Sequence, residues 1–537
     1  MLSSLIWLPV IGALLIGFLP IVTDVVDRDS RGKTLPLTVL KPSAANSTIK
    51  YLALAIASGI VLITAYLIVQ FDINKSGMQF QEYFPWLQSL GISYSLGVDG
   101  ISLPLVGLNA LLTWLVILST PTNYERPKLF YALLFLINAG LAGAFLAQDV
   151  LLFVLFYELE LIPLYLTIAI WGGAKREAAA MKFLIYTAVS GILILGGFVA
   201  LGWITANPNP SFDYATLKSA VLPLSLQIPI LLALLIGFGI KTPLVPLHSW
   251  LPDTYVEAST PTAILLGGIL AKLGAYGLIR FCLGLFPDAW SYFAPWLAIW
   301  AAAGVLYGTT IAIAQKDIKR MVAYSSIGHM SYILLACAAA TPLALVGGVT
   351  QMVSHGLILA ILFYLVGLVE AKVGTRDLDV LNGLLNPIRG LPAVGALLVL
   401  GGMASAGIPG MVGFISEFLV FQGSFAKFPI PTLLCIVGTG LTAVYFVILL
   451  NRTCFGKLDN ATAYYPRVTI AEQVPALILT ALIIFLGVQP TWLVRWTEVT
   501  TNLLASSMPN NISSTHPERN RISLTSPQAP ALIDSTN

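Results

Sequence analysis

Five ionisable side chains, Glu158, Glu160, Lys241, Lys272 and Glu417, lie in stretches otherwise apolar enough to cross a bilayer. Each ionised group at the centre of a spanning helix costs about 2.5–3.5 kcal/mol on insertion scales, so a chain that keeps five of them uses them. Acids and amines in one apolar setting pair, neutralise each other and move a proton or cation through the membrane. Glu158 and Glu160 are two residues apart and point about 200° away from each other on a helix, so only one of them can face Lys241. The pair works as a switch, because each charge holds the other ionised until they separate. Lys272 has no carboxylate in its own apolar run, which suits a proton-carrying centre. His329 and His355 are placed to relay between Lys272 and Glu417, because imidazole titrates near neutrality; His248 is a further candidate. Tyr324, Ser325 and Ser326 add hydroxyls that can hold water.

The segments carrying these groups are apolar runs of spanning length. They fall near 3–23, 51–71, 100–120, 129–148, 150–171, 183–206, 228–251, 259–285, 292–314, 320–340, 342–371, 391–426, 430–451 and 472–494. The chain is expected to be an all-α polytopic membrane protein of about 14 transmembrane helices. Its composition agrees: 57% hydrophobic and only 10% charged residues, against about 25% charged in soluble domains. The seventh run reads GFGIKTPLVPLHSW, and Pro243 and Pro246 predict a break just after Lys241. The twelfth reads GIPGMVGFISEF, with Pro409 and glycines ahead of Glu417. Two discontinuous helices, 7 and 12, five spans apart and each with one ionisable residue, predict two inverted five-helix repeats with function at the breaks.

The expected organisation is then 1–128 for helices 1–3, with a charged cytoplasmic loop at 24–50. Residues 129–285 form the first repeat (helices 4–8), 286–453 the second (helices 9–13), 454–504 helix 14, and 505–537 a polar tail. Loop 24–50 and the tail lack helical periodicity and read as extended or poorly ordered. Alternate connections separate the basic residues sharply. One side holds Arg28, Lys50, Arg126, Lys175, Lys182, Lys319, Arg320, Arg376, Arg452 and others, and the opposite side holds Lys75, Lys218 and Lys427. The first side is therefore cytoplasmic, and an even helix count puts both termini outside. The N-terminal run lacks a basic leader and reads as a retained span.

Net charge is +3 with scattered Lys and Arg, so no nucleic-acid partner is expected. Cys282, Cys337, Cys435 and Cys454 are far apart and have no CxxC spacing, which excludes an iron–sulfur, zinc or disulfide framework. Gly438 and Gly440 follow no strand, so no nucleotide-binding loop is indicated. No cofactor is expected on this chain.

The strings GVDGISLPLVGLNALL, YELELIPLYL, KTPLVPLHSWLPD, QKDIKRMVAYSSIGHM, SHG and PGMVGFISEF, in this order, resemble the antiporter-like subunits of respiratory complex I and the related Mrp cation/proton antiporters. The resemblance covers roughly residues 75–495. A glutamate rather than a lysine at the twelfth-helix position, and the lack of a long lateral helix, resemble the M or D type. YELELIPLYL, the charged loop and the polar tail look like D-type subunits of cyanobacterial or plastid NAD(P)H–quinone oxidoreductases. The resemblance implies a thylakoid hetero-oligomer with antiporter-like neighbours on both sides, lipid around it, and iron–sulfur clusters and plastoquinone on partner subunits. It implies that Glu158, Lys241, Lys272 and Glu417 pump, with His329 and His355 on the connecting axis. Glu160 departs from the family pattern. It leaves open which glutamate pairs with Lys241, and its spacing to Ile162–Pro163 favours Glu158. Protons are expected to be taken up near the seventh-helix break, to pass Lys241, Lys272, His329 and His355, and to leave toward the lumen at Glu417. A sodium/proton antiporter subunit of the Mrp type is the alternative.

Overall fold

Prolines set where the helices of this chain start and break. The computed structural model describes residues 1–19, 42–206, 209–456 and 465–509. The N-terminal part comprises α1 (Leu2–Gly17), α2 (Pro42–Gln70), an antiparallel hairpin of β1 (Gln79–Leu87) and β2 (Ile92–Val98), and α3 (Ser102–Ser119). Next come α4 (Pro127–Leu146), α5 (Val150–Leu159), α6 (Leu161–Trp171), α7 (Arg176–Ile204), the short α8 (Tyr214–Ser219) and α9 (Leu224–Lys241). They are followed by α10 (Trp250–Glu257), α11 (Thr260–Leu265) and α12 (Ala271–Gly277), with π-helical turns at Leu266–Leu270 and Leu278–Leu283. The remainder is α13 (Pro287–Ile313), α14 (Ile318–Ala339), α15 (Pro342–Val373), α16 (Pro392–Ser405), α17 (Val412–Phe425), α18 (Pro429–Thr453), α19 (Ile470–Val488) and α20 (Thr491–Ser506).

Twelve helices among the described residues are long and apolar enough to cross a membrane, and Leu2–Gly17, Pro392–Ser405 and Val412–Phe425 are shorter apolar helices. Pro127, Pro342 and Pro429 each open a helix, where the missing N–H would have no partner anyway. Pro163 lacks an N–H and its ring crowds the carbonyl of Leu159, so the fifth span breaks there and leaves Glu160 at the joint between α5 and α6.

The π-interrupted span from Thr260 to Leu283 lies wholly inside the protein, whereas only 28% of the α2 span is buried. Outer helices such as α2 and α19 therefore leave most of their surface outside the core of the chain, and the segment carrying Lys272 does not. Small residues bring the inner helices close. A Cβ on Gly308 of α13 would sit 2.8 Å from the Gly328 nitrogen of α14, and one on Gly347 of α15 would sit 2.6 Å from the Val420 nitrogen of α17.

The connections gather on two faces. On the basic face, Lys182 and Arg320 both reach Asp253 (2.7 and 3.2 Å), and Arg376 reaches Asp317 (3.1 Å). On the opposite, hairpin face, Asp149 caps α5 and accepts from the Ser93 amide of β2 at 2.8 Å.

Four expectations need correction. The fold is not all-α, because residues 79–98 pair as a hairpin. Residues 42–50 of the expected loop are the first turns of α2, whose apolar stripe extends further back than the composition of the segment suggested. The last span ends at Val488 rather than 494, because Gln489 and Pro490 interrupt it. The following α20 reaches Ser506, past the expected start of the tail; it is amphipathic and buries Leu493, Thr497, Thr501 and Leu504. The remainder of 24–50 and of the tail (to residue 41, and from 510) lies outside the described residues.

Candidate functional site

The site is a file of polar groups threaded through the inner helices at the two helix breaks. It begins at the joint left by Pro163. Lys241, the last residue of α9, donates to Glu160 Oε1 at 2.5 Å, with both side chains at most 1% exposed. The Tyr157 ring lies 4.4 Å from the same ammonium, and Tyr157 bonds Ser190, whose hydroxyl also donates to Gly237 O. Glu158 is not the partner. Once Glu160 faces α9, the helical step turns Glu158 toward α7, where its Oε1 sits over Gly191 so closely that a Cβ there would be 1.7 Å away. The expectation that favoured Glu158 fails for a geometric reason: Pro163 moves the kink onto Glu160 itself.

Beyond Lys241 the chain leaves the helix. Residues 242–249 form no regular element, and the indoles of Trp250 and Trp300 hold the freed carbonyls of Ile240 and Val245. Such irregular backbone at membrane depth is tolerated only when protein groups satisfy it. His248 lies on this segment, 3.2 Å from the Tyr307 hydroxyl. It joins neither Lys241 nor Lys272.

Next in the file is Lys272. A Cβ on Gly274 would be 2.5 Å from Thr242 Oγ1 and 2.7 Å from the Thr242 nitrogen, so α12 touches the end of α9 at the residue after Lys241. The Lys272 ammonium donates to Gly267 O, five residues back, within the widened π turn. It is fully buried in the middle of the Thr260–Leu283 span, so it does not snorkel. One residue from its acceptor, Gly268 O meets α15 so closely that a Cβ on Gly356 would be 2.5 Å away, which brings His355 to this turn.

From His355 the file passes to His329, with ring centroids 5.2 Å apart. His329 Nδ1 is 3.4 Å from both Gln351 Nε2 and Glu417 Oε1, and its Nε2 is 3.1 Å from Ser405 Oγ, the last residue of α16. The Ser416 hydroxyl reaches Gln351 Oε1 and Ser354. Thr439 donates to Glu417 Oε2 at 3.1 Å, and Tyr332 is 3.0 Å from Thr439. The second break shapes this end. Gly407 at φ +70° and Gly410 at φ +93° turn the chain between α16 and α17 in a conformation that side chains disfavour. A Cβ on Gly407 would also come within 2.9 Å of Glu417 Oε2.

The structure thus brings together Lys241, Lys272, His329, His355 and Glu417, and it substitutes Glu160 for Glu158 at one end. Gln351, Ser354, Ser405, Ser416 and Thr439 were not anticipated. Their signal was available: single polar residues in apolar spans must find partners inside the protein. Of the expected hydroxyls, Ser325 turns back onto Val322 O of its own helix. Glu160 Oε2 and both ring nitrogens of His355 are buried without a protein partner among the described residues. Buried polar atoms are costly when unpaired, so these are the places in the file built to meet a mobile partner such as water.

Comparison with known proteins shows the family. Residues 147–442 match the family model described as NADH:quinone oxidoreductase/Mrp antiporter, TM. The chain is 40% identical over 471 residues to NAD(P)H-quinone oxidoreductase chain 4 1 of Synechococcus sp. strain JA-2-3B'a(2-13), covering 86% of this chain and 88% of that one. It is 36% identical over 523 residues to NAD(P)H-quinone oxidoreductase chain 4 of Acaryochloris marina, covering 95% and 93%. Among solved structures, a chain of respiratory complex I from Thermus thermophilus matches with a TM-score of 0.82 at 26% identity, over 94% of this chain and 99% of that one. A chain of the Mrp complex from Dietzia sp. DQ12-45-1b shares the fold, with a TM-score of 0.80 at 19% identity over 94% and 97%. The chain therefore belongs to the NADH:quinone oxidoreductase/Mrp antiporter transmembrane family, among the chain 4 subunits of the complex I type NAD(P)H–quinone oxidoreductases.

Proposed function

We propose that this chain is a proton-translocating membrane-arm subunit of an NAD(P)H or ferredoxin:plastoquinone oxidoreductase, coupling electron transfer on partner subunits to a proton gradient. The observation that carries the reading is the set of buried ionisable groups at the two breaks: the Glu160–Lys241 pair, Lys272 on the helix that touches the end of α9, and His355, His329 and Glu417 in close succession. It runs between two broken helices whose outer halves lead to opposite faces, α10 to the basic face and α17 to the hairpin face.

On this reading the twelve long helices, α1 and the α16–α17 pair make fourteen spans. The spans from α4 to π-interrupted α12 and from α13 to α18 are two inverted repeats, and helix α19 follows them. The basic face is cytoplasmic, and both termini lie in the thylakoid lumen. Protons are taken up beside α10, charge Lys241 and Lys272, cross the histidines and leave at Glu417. A neighbouring subunit drives the opening of the Glu160–Lys241 pair, and with it the proton affinity of the file. The chain performs no redox chemistry; iron–sulfur clusters and plastoquinone belong to its partners.

The test is Lys241→Ala and Glu417→Ala in the intact complex, with assembly checked by co-isolation. Donor-driven proton movement should vanish in both, and full pumping in both rejects the reading. A second reading, an Mrp-type sodium/proton antiporter subunit, has in its favour the likeness of fold to the Dietzia complex. Sodium-dependent exchange, without co-isolation of redox subunits, would favour it instead.

A further inference from the structure

The helix that carries Lys272 continues toward the hairpin face through Tyr276 and Arg280, four and eight residues on. Lys272 and Tyr276 share one side of it. At its end a cavity of about 490 Å³ opens among the hairpin-face connections, with Asp99, Tyr214, Lys218, Arg280 and Thr500 in its wall. A lysine that holds a proton in mid-membrane, one helix length from such a cavity, invites a short circuit.

The contacts along this line are arranged to prevent one. A hydroxyl relays a proton only when it accepts on one side and donates to a basic group on the other. The Tyr276 hydroxyl accepts from Arg280 Nε at 3.2 Å and donates to Phe145 O at 3.3 Å. A guanidinium does not surrender its protons in proteins, and a main-chain carbonyl has none to pass on. Both neighbours of Tyr276 are therefore dead ends.

Arg280 is itself immobilised. Its Nη2 donates to Asp99 Oδ2 at 2.6 Å, with side-chain exposures of 8% and 2%. Its main-chain carbonyl accepts from Tyr214 at 3.1 Å. Asp99 in turn accepts from the Ile101 and Ser102 amides through Oδ1, which fixes it at the start of α3. The adjoining Gly100 is pinned beneath α20 by its bond to Thr500.

We propose that Arg280, clamped by Asp99, is a plug that closes the hairpin-face route to Lys272, so that a proton on Lys272 can go on only to the histidines. Arg280 is a positioning residue in this scheme, and the inference rests on the reading of Lys272 as a proton carrier.

The experiment uses the whole complex in sealed vesicles. Passive proton leak under an imposed pH gradient, without electron donor, is measured alongside donor-driven pumping. Arg280→Lys keeps a cation for Asp99 but replaces the guanidinium with an amine that can release a proton. It should leak several-fold faster than the parent and move fewer protons per electron. Adding Lys272→Met should return the leak to the parental level. Assembled Arg280→Lys and Arg280→Gln complexes that are as tight as the parent overturn the plug, and so does a leak that survives in the Lys272 double variant. If Arg280→Gln does not assemble, Arg280→Lys decides alone. Lys272→Met that pumps normally would instead overturn the reading of Lys272, whatever Arg280 does.

Discussion

The two helix breaks solve the same problem in opposite ways. At the first, one ammonium meets one carboxylate at 2.5 Å with both side chains buried, and aromatic rings close the sides. At the second, the carboxylate of Glu417 meets the His329 imidazole and the Thr439 hydroxyl, and Gln351, Ser405 and Ser416 extend the mesh from His329 across α15, α16 and α17, with groups none of which must be charged. A tight pair has two states, closed and open, and suits a switch. A mesh of groups that both donate and accept suits storage and release, because a proton can enter it without separating a pair of full charges.

The contrast is broken most severely by Glu160→Gln. Removing one member of a buried pair costs about 3–5 kcal/mol, so the solubilised complex should lose thermal stability and pumping should fall to background. Glu158→Gln should do far less to either. Equal damage from the two substitutions would return Glu158 to the pairing role.

Gln351→Leu should come next. It takes one partner each from His329, which keeps Ser405 and Glu417, and from Ser416, which keeps Ser354 and Gly413 O, so two hydrogen bonds worth about 0.5–1.5 kcal/mol each are lost. Pumping should slow while the Glu160–Lys241 switch, read by the infrared signature of its carboxylate, stays in place. Thr439→Val removes one hydrogen bond to Glu417 and one to Tyr332, each worth about 0.5–1.5 kcal/mol, and should shift the pumping rate modestly. No change in rate would show that Thr439 only packs.

The smallest effect belongs to the exposed cluster on the basic face, a control for charge pairing without burial. The hydrogen bond from Lys316 and the charges of Lys316 and Arg452 hold Asp379 below the usual carboxylate range, and the same bond raises Lys316. The Asp379 contribution is complete above its unfolded pKa and fades only as pH falls below that value. The Lys316 contribution fades only as pH rises above the ordinary lysine range. Between about pH 5 and 9 the contribution of this cluster to stability should therefore be flat, and Asp379→Asn should leave stability unchanged within error, since exposed pairs contribute little. A difference in stability between parent and Asp379→Asn that changes with pH in that window would show that the cluster is coupled to a group outside it.

Much of this molecule is written in its residue types. Long apolar runs announce spans because hydrocarbon accepts only backbone that is satisfied within its own helix. Charges inside those runs announce the site because lipid rejects them. Pro243, Pro246, Pro409 and the nearby glycines announce the breaks because they remove donors or relax the backbone. Lys241, Lys272, His329, His355 and Glu417 were legible on those grounds alone. The hairpin was less so. Phe80, Tyr83, Phe84, Trp86 and Leu87 lie in a strand with no core beneath it, so its pattern lacks the alternation that marks a half-buried sheet. The amphipathic α20 was hidden because residues up to 504 were counted with the last span, and its polar face gave no second apolar run to mark a separate docked helix.

Which groups meet was decided elsewhere. The choice of Glu160 over Glu158 depends on where Pro163 bends one helix relative to Gly191 on another, and no spacing along a single segment contains that angle. The same holds for Gln351 and Ser405 around His329, and for Asp99 finding Arg280 across 181 residues. Burial cost is a property of each residue and its neighbours in the chain, so the sequence states it directly. Pairing is a property of distances between segments, which exist only after the helices have packed.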